Sequence, residues 1–431
     1  MIASYAEFIA RRQARAHQIG ADVEPGDLHY SLKPFQVDVT RWAARVGRPA
    51  VWADTGLGKT RMQLEWCRVM ADVSLIVAPL GVARQTPEEA ALIHTDARYV
   101  RSGAEITGPG VYVTNYEMVD QFDPSRIGAV ALDEASILKQ SDGKTRTKLI
   151  QHFASVPYRS TWTATPAPND PEELTNQAEF LGHMTRTNML AAYFVHDQDG
   201  WRLKGHAVEP MLDWMSSWAI AIRRPSDLGY SDTGYNLPGL NIIPELVDVE
   251  IEPGDGELFA MTIGGVQGRS KVRRESMDAR VARTVDLVER EPAEPWLLWT
   301  GLNDEADALA ASIPGSVNVH GSMSPDEKAD YLLGFAHGDF PVLITKLKIA
   351  GLGMNYQHTA RMAFVGLGDS YEQYYQGIRR AYRYGQKRVV NAHIVLSQIE
   401  SQIAQNVARK ESQANRLMDG LIARNATRRN A

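Results

Sequence analysis

The chain contains a single cysteine, Cys67, which excludes an internal disulfide and any multi-cysteine zinc site. No apolar run approaches the ~20 residues that span a bilayer. Met1 to Gly20 lacks a secretory core, because Glu7 interrupts it and Arg11, Arg12 and Arg15 follow too soon. An arginine-bearing start can also suit an organelle transit peptide, but a first helix of the fold is the simpler reading. There is no repeat of solenoid length and no low-complexity tract. Nor is there an excess of positive charge: the net charge is −6, so any binding of a polyanion needs a local basic surface. These absences predict a cytoplasmic globular protein with no membrane attachment.

At 431 residues, with 44% hydrophobic and 23% charged residues, two or three domains can each bury a core. Three segments offer local basic charge: Arg11 to Arg15; Arg269, Lys271, Arg273 and Arg274 with Arg280 and Arg283; and a tail bearing Arg409, Lys410, Arg416, Arg424, Arg428 and Arg429. For each, a solvated helix face is the simpler reading.

Short apolar runs alternate with helix-like stretches. In the first half, strands are expected at Ala50–Ala53, Ser74–Ala78, Val111–Thr114, Ala129–Leu132 and Ser160–Ala164. In the second half they are expected at Trp296–Thr300, Val317–Val319, Val342–Thr345, Met362–Val365 and His393–Leu396. Strands interleaved with helices predict parallel sheets covered on both faces. Ser324-Pro325-Asp326-Glu327 reads as a capping box that starts a helix. Trp201, Trp214 and Trp218 could stack on bases, but large aromatics more often pack in cores and interfaces. His320 before Gly321 reads as a turn residue.

Ala53-Asp54-Thr55-Gly56-Leu57-Gly58-Lys59-Thr60 lies between an apolar strand and a helix start. Such a turn cradles a phosphate, because glycine lets the backbone approach closely and the helix N-terminus aims free N–H groups at the anion. Thr55, Gly56, Gly58, Lys59 and Thr60 are therefore candidates for binding ATP, with Lys59 reaching the β/γ-phosphates and the Thr60 hydroxyl ligating Mg²⁺. The first glycine of the full pattern is replaced by Ala53. A second metal partner is available at Asp133, at the carboxyl end of an apolar strand beside the loop. Glu134 is then placed to orient or deprotonate an attacking water.

Asp133-Glu134-Ala135-Ser136, with Thr163-Ala164-Thr165-Pro166 thirty residues on, resembles the second and third motifs of superfamily-two helicases. Leu32-Lys33-Pro34-Phe35-Gln36 is similar to the Leu-Arg-Pro-Tyr-Gln element of Swi/Snf-related ATPases, which implies that Gln36 contacts adenine. Ala78-Pro79-Leu80 and Thr114-Asn115-Tyr116-Glu117 resemble the intervening nucleic-acid-contacting motifs. Gly351-Leu352-Gly353-Met354-Asn355 resembles the fifth motif, and the run from Gln376 to Gln386 the sixth. Ile222-Arg223-Arg224-Pro225 with Asn236-Leu237-Pro238 is similar to the segment entering the second lobe. The departures are Arg379, Tyr382 and Lys346-Leu347-Lys348.

The resemblance covers about residues 30 to 398. It implies an α/β fold of two RecA-like parallel-sheet lobes in tandem, with a helical linker element and a C-terminal helix. Residues 1–30 form an N-terminal extension, 31–185 the first lobe, 186–253 the linker, 254–400 the second lobe and 401–431 the tail. ATP and Mg²⁺ lie in the cleft, with Lys59, Glu134, Arg380 and Arg383 catalytic, Thr60 and Asp133 on the metal, and Gly353 beside the nucleotide. Nucleic acid, double-stranded DNA by the Swi/Snf relation, contacts Thr114, Asn115, Thr163, Thr165, Thr345 and Lys346. The compact length resembles phage- and prophage-encoded members and leaves no room for the large insertions of chromatin remodellers. The implied protein is a monomeric helicase or translocase, acting alone or with a nuclease or a phage replication or recombination partner. A nucleotide-gated binding module without translocation is the reading from another class.

Overall fold

The computed structural model describes residues 16–139, 143–198, 200–248, 275–349, 355–366, 368, 370–397 and 401–429. The chain divides into two compact units. One runs to Tyr235 and takes in the C-terminal helix from Glu411; the other runs from Asn236 to Lys410.

The first unit contains strands β1 (Ala50–Ala53), β2 (Val73–Ala78), β3 (Ala97–Tyr99), β4 (Gly110–Asn115), β5 (Ala129–Asp133) and β6 (Tyr158–Thr163). A small antiparallel hairpin, β7 (Phe194–Asp197) with β8 (Gly200–Leu203), follows, and then β9 (Ala219–Ile222). Among the described residues, seven of these form one parallel sheet in the order β3-β4-β2-β5-β6-β1-β9. The central strands are buried on both faces, as continuous apolar runs in a parallel sheet must be when helices cover both sides. The two resulting cores are centred on Trp52, Phe153 and Trp218 on one side and on Phe35, Trp66 and Val113 on the other. Cys67 is buried in the second of these, and burial pushes its thiol above the usual range.

The second unit contains β10 (Leu240–Val247), β11 (Trp296–Thr300), β12 (Ser316–Val319), β13 (Val342–Thr345), β14 (Arg361–Val365) and β15 (Val390–Ser397). They form a parallel sheet in the order β10-β15-β14-β11-β13-β12. Pro244 lies within β10, which is tolerable because β10 is an edge strand. Ser324 caps the helix Pro325–His337: its hydroxyl accepts the Glu327 N–H at 3.2 Å, and Glu327 accepts the Ser324 N–H at 2.9 Å. His320 accepts the Ser322 hydroxyl or donates to it across a turn, at 2.7 Å.

The stretch expected as a linker is divided between the units. Residues up to Tyr235 are built into the first, since β9 extends its sheet beside β1, and β10 belongs to the second. The physical reason is Trp218, fully buried edge-on to Trp52 at 6.2 Å and to Trp214 at 5.3 Å. The C-terminal helix, Ser401–Arg429, buries Met418 and Leu421 in the first unit's core. Its Asn415 accepts from Arg223 at 2.9 Å, and Asn425 donates to the Ala221 carbonyl of β9, the buried last strand of the sheet. No helix among the described residues is long and apolar enough to cross a membrane.

Several arginines of the basic segments are neither on a solvated helix face nor part of a basic patch, because carboxylates hold them. Arg280 is fully buried against Glu305 at 2.8 Å, and Arg283 is bound to Glu245 at 2.6 Å and to Asp286. Arg424 is held by Asp213 and Glu209. Apart from Asp286, the carboxylates that neutralise these arginines are distant in the chain, which is why a count of local charge overestimates the patch. Arg11 to Arg15 and Arg269 to Arg274 lie outside the described residues.

Truncating Trp218 to Ala should cost the first unit about 3–5 kcal/mol, measured as a shift of its urea midpoint. A loss below about 1 kcal/mol would show that β9 and its neighbours are not integral to that unit.

Candidate nucleotide site

The loop from Asp54 to Gly58 joins β1 to the helix Lys59–Met70. Gly56 and Gly58 both have positive φ, at 84° and 80°. Gly58 is doubly constrained, because a Cβ there would lie 2.3 Å from Gln36 Nε2. That nitrogen donates to the Leu57 carbonyl at 2.8 Å, and Gln36 Oε1 accepts the Lys33 N–H at 2.8 Å. Gln36, expected at an adenine, is thus buried under the loop and holds its shape, with one Nε2 proton left over. Thr55 N–H donates to Asp54 Oδ1 at 2.6 Å, and Lys59 Nζ folds back onto the carbonyls of Ala53 at 2.8 Å and Asp54 at 3.4 Å. Thr60 is half-buried in the first helical turn, where backbone N–H groups have no intrahelical partner.

Asp133 ends β5 and is buried. β5 is not the neighbour of β1: β6 lies between them. The register aligns Trp52 of β1 with Thr163, and Asp133 with Trp162, so the loop, Thr163 and Asp133 all occupy the carboxyl end of one sheet. Burial pushes the Asp133 carboxyl up to about 7, the charge of Glu134 adds to this, and the Lys59 ammonium opposes it. Glu134 has φ +50°, one of two non-glycine residues with positive φ among those described. Strain of this kind concentrates at functional sites.

This donor set fits a nucleotide with a divalent cation. The ammonium of Lys59 donates to main-chain carbonyls of its own loop, and burial pushes the Asp133 carboxyl up although the Lys59 charge opposes it.

The residues expected to contact nucleic acid are placed differently. Thr114, Asn115, Thr163 and Thr165 of the first unit and Thr345 of the second are buried, and only Lys346 is partly exposed. All five buried residues sit at or just beyond the ends of central strands, where covering helices enclose side chains. Asn115 accepts from Tyr99 Oη at 2.8 Å, Thr163 Oγ1 accepts the Thr165 N–H at 3.1 Å, and Thr345 Oγ1 donates to the Val319 carbonyl at 3.0 Å. These bonds shape strand ends, whereas the buried hydroxyls of Thr114 and Thr165 have no hydrogen-bond partner among the described residues.

Two organising residues escape a reading of the motifs alone. Tyr116 is buried and donates to the Asp133 carbonyl at 2.5 Å, tying the strand end of β4 to that of β5. Gln177 accepts from Trp52 and Thr161 at 3.0 Å each and donates to the Pro166 carbonyl at 2.8 Å, so it positions the loop after Thr163. The signal for Tyr116 was its place inside a quoted motif; Gln177 carried none.

In the second unit, Arg380 and Arg383 follow the helix Tyr371–Ile378 and are half-buried. Their turn is organised by Gln386, which donates to the carbonyls of Gln357, Thr359 and Ala381 and accepts the N–H groups of Lys387 and Arg388. Arg379 stacks over Tyr375 and Tyr382, which accounts for the tyrosine at that position. Gly353 lies outside the described residues.

Replacing Glu134 with Gly should relieve the backbone strain, so E134G is expected to melt about 2–4 °C above the parent protein. A lower melting temperature would show that the side chain stabilises this turn.

Residues 282–385, about a quarter of the chain, match the family model described as Helicase conserved C-terminal domain. No curated protein matches the chain. Among solved structures, the chain is similar to the Sulfolobus solfataricus SWI2/SNF2 ATPase core in complex with dsDNA. The identity is 18% and the TM-score 0.44, with 94% of this chain and 97% of that chain covered.

Proposed function

We propose that the chain is an ATP-dependent nucleic-acid motor, a DNA-stimulated ATPase that translocates along duplex DNA or opens it. The observation that carries the reading is the convergence of the Lys59 loop, Thr163 and the Asp133–Glu134 pair at the carboxyl end of one parallel sheet. The helicase-type match over 282–385, which contains Arg380 and Arg383, supports the assignment for the second unit.

In this reading Lys59 and the first-turn N–H groups bind the terminal phosphates, and Thr60 and Asp133 hold Mg²⁺. The bound cation supplies neutralisation of phosphate charge. Glu134 orients the attacking water and takes its proton. Arg380 and Arg383 stabilise charge that develops in the transition state, an effect worth ~10³–10⁵ in rate in related phosphoryl transfers. Substrate contacts come from loops at the strand ends, since the hydroxyls of Thr114, Thr163 and Thr345 are enclosed.

The test is the ATPase rate with duplex DNA, single-stranded DNA and RNA over a salt series. Duplex DNA should stimulate most, and its apparent affinity should fall with a slope of about −0.9 per phosphate neutralised. K59A and E134Q should abolish turnover, and R380A or R383A should lower kcat by about 10³-fold. Absence of stimulation by any nucleic acid would overturn the reading. Stimulation without displacement of a triplex strand would restrict it to a nucleotide-gated binder.

A further inference from the structure

We propose that the first unit carries a second anion site, built from Arg48 and Arg159 around Gly182, that takes a phosphate group. It lies at the amino-terminal end of the sheet. Arg159 is the second residue of β6, and Arg48 sits two residues before β1, whereas the phosphate loop leaves the other end of β1. A four-residue strand separates those ends by about 13 Å. The proposal does not depend on the function proposed above.

Arg159 is only 5% exposed, yet among the described residues its side chain donates no hydrogen bond and joins no ion pair, and its Nε is buried without a partner. A buried charge left unpaired is costly, and proteins ordinarily pair it or bring a ligand to it. Arg48 uses its Nε on the Pro157 carbonyl at 2.9 Å, which leaves its terminal nitrogens. Both guanidinium tips converge on one point: a Cβ at Gly182 would lie 2.6 Å from Arg159 Nη2 and 2.8 Å from Arg48 Nη1. Gly182 is exposed, so the two cations reach the surface there.

The nearby carboxylates are engaged elsewhere. Glu179 binds Arg146 and the Arg186 N–H, and Glu172 binds Arg186 at 3.3 Å. Burial, followed by repulsion from Arg48, pulls Arg159 down to about 10. His183 borders the pair, with Nε2 2.8 Å from the Arg48 carbonyl and its ring stacked on Trp218 at 5.0 Å. Burial keeps it neutral, down to about 4. The helix Leu174–Leu181 ends at Gly182, and the partial negative charge of that end favours nearby cations. None of its carbonyls accepts from either arginine, so the helix end does not replace an anion. Two planar forks that converge beside an exposed glycine suit a tetrahedral dianion, which neutralises both charges. The phosphate can come from a free ion or from a nucleic-acid backbone.

The experiment uses K59A as the parent, so that the phosphate loop does not contribute, and compares inorganic phosphate with chloride at equal ionic strength. Phosphate should raise the melting temperature of K59A saturably and change tryptophan emission through Trp218. Both responses should vanish in K59A/R159M and in K59A/R48A. In chloride, K59A/R159M should melt no lower than K59A, because an unpaired buried charge has been removed. A phosphate response absent from K59A, or retained in both double variants, would overturn the proposal. A short DNA duplex binding K59A/R48A at least tenfold more weakly than K59A would assign the phosphate to nucleic acid; unchanged duplex affinity with loss of the phosphate response would assign it to a free ion.

Discussion

Gly58 can carry no side chain. Its φ of +80° and the Gln36 amide 2.3 Å from the missing Cβ hold the loop between β1 and the helix Lys59–Met70 in one shape. The same contact joins the segment before the sheet to the loop after its strand, since Gln36 binds both Leu57 and Lys33. The loop's geometry is therefore set by packing beneath it.

Buried charge is handled in two ways in this molecule. Where it is structural it is paired: Arg280 with Glu305, and Arg283 with Glu245. Such pairs are costly to break because either partner alone would be left desolvated. Where it is not paired, as at Asp133 and Arg159, the carboxyl or guanidinium titrates away from its ordinary range chiefly because of burial. At these two positions an external ion of opposite sign is the partner we propose.

Much of the sheet architecture was legible in the chain. β1, β11 and β13 fall on the expected residues, and β2, β4, β5, β6, β12, β14 and β15 overlap theirs. Doubly buried parallel strands are near-continuous apolar runs, and that pattern is local. β3, β9 and β10 were not expected, because Ala97–Tyr99 is short and Leu240–Val247 alternates irregularly around Pro244. Ala219–Ile222 is apolar, yet only its pairing with β1 gives it a sheet. Within the candidate site, the loop, Asp133 and Glu134 could be located by motif, whereas Tyr116 and Gln177 act through contacts with residues far along the chain.

The amino-acid sequence by itself determined most of the central strands, the glycine turn and the cap at Ser324, because backbone sterics, side-chain period and local hydrogen bonds need only near neighbours. The tertiary structure alone decided which hydroxyls are enclosed, which arginines are neutralised, and that β6 separates β5 from β1. It also decided that Arg48 and Arg159, more than a hundred residues apart, meet without a carboxylate. Burial and charge balance depend on what packs from every side, and no local stretch of sequence contains that information.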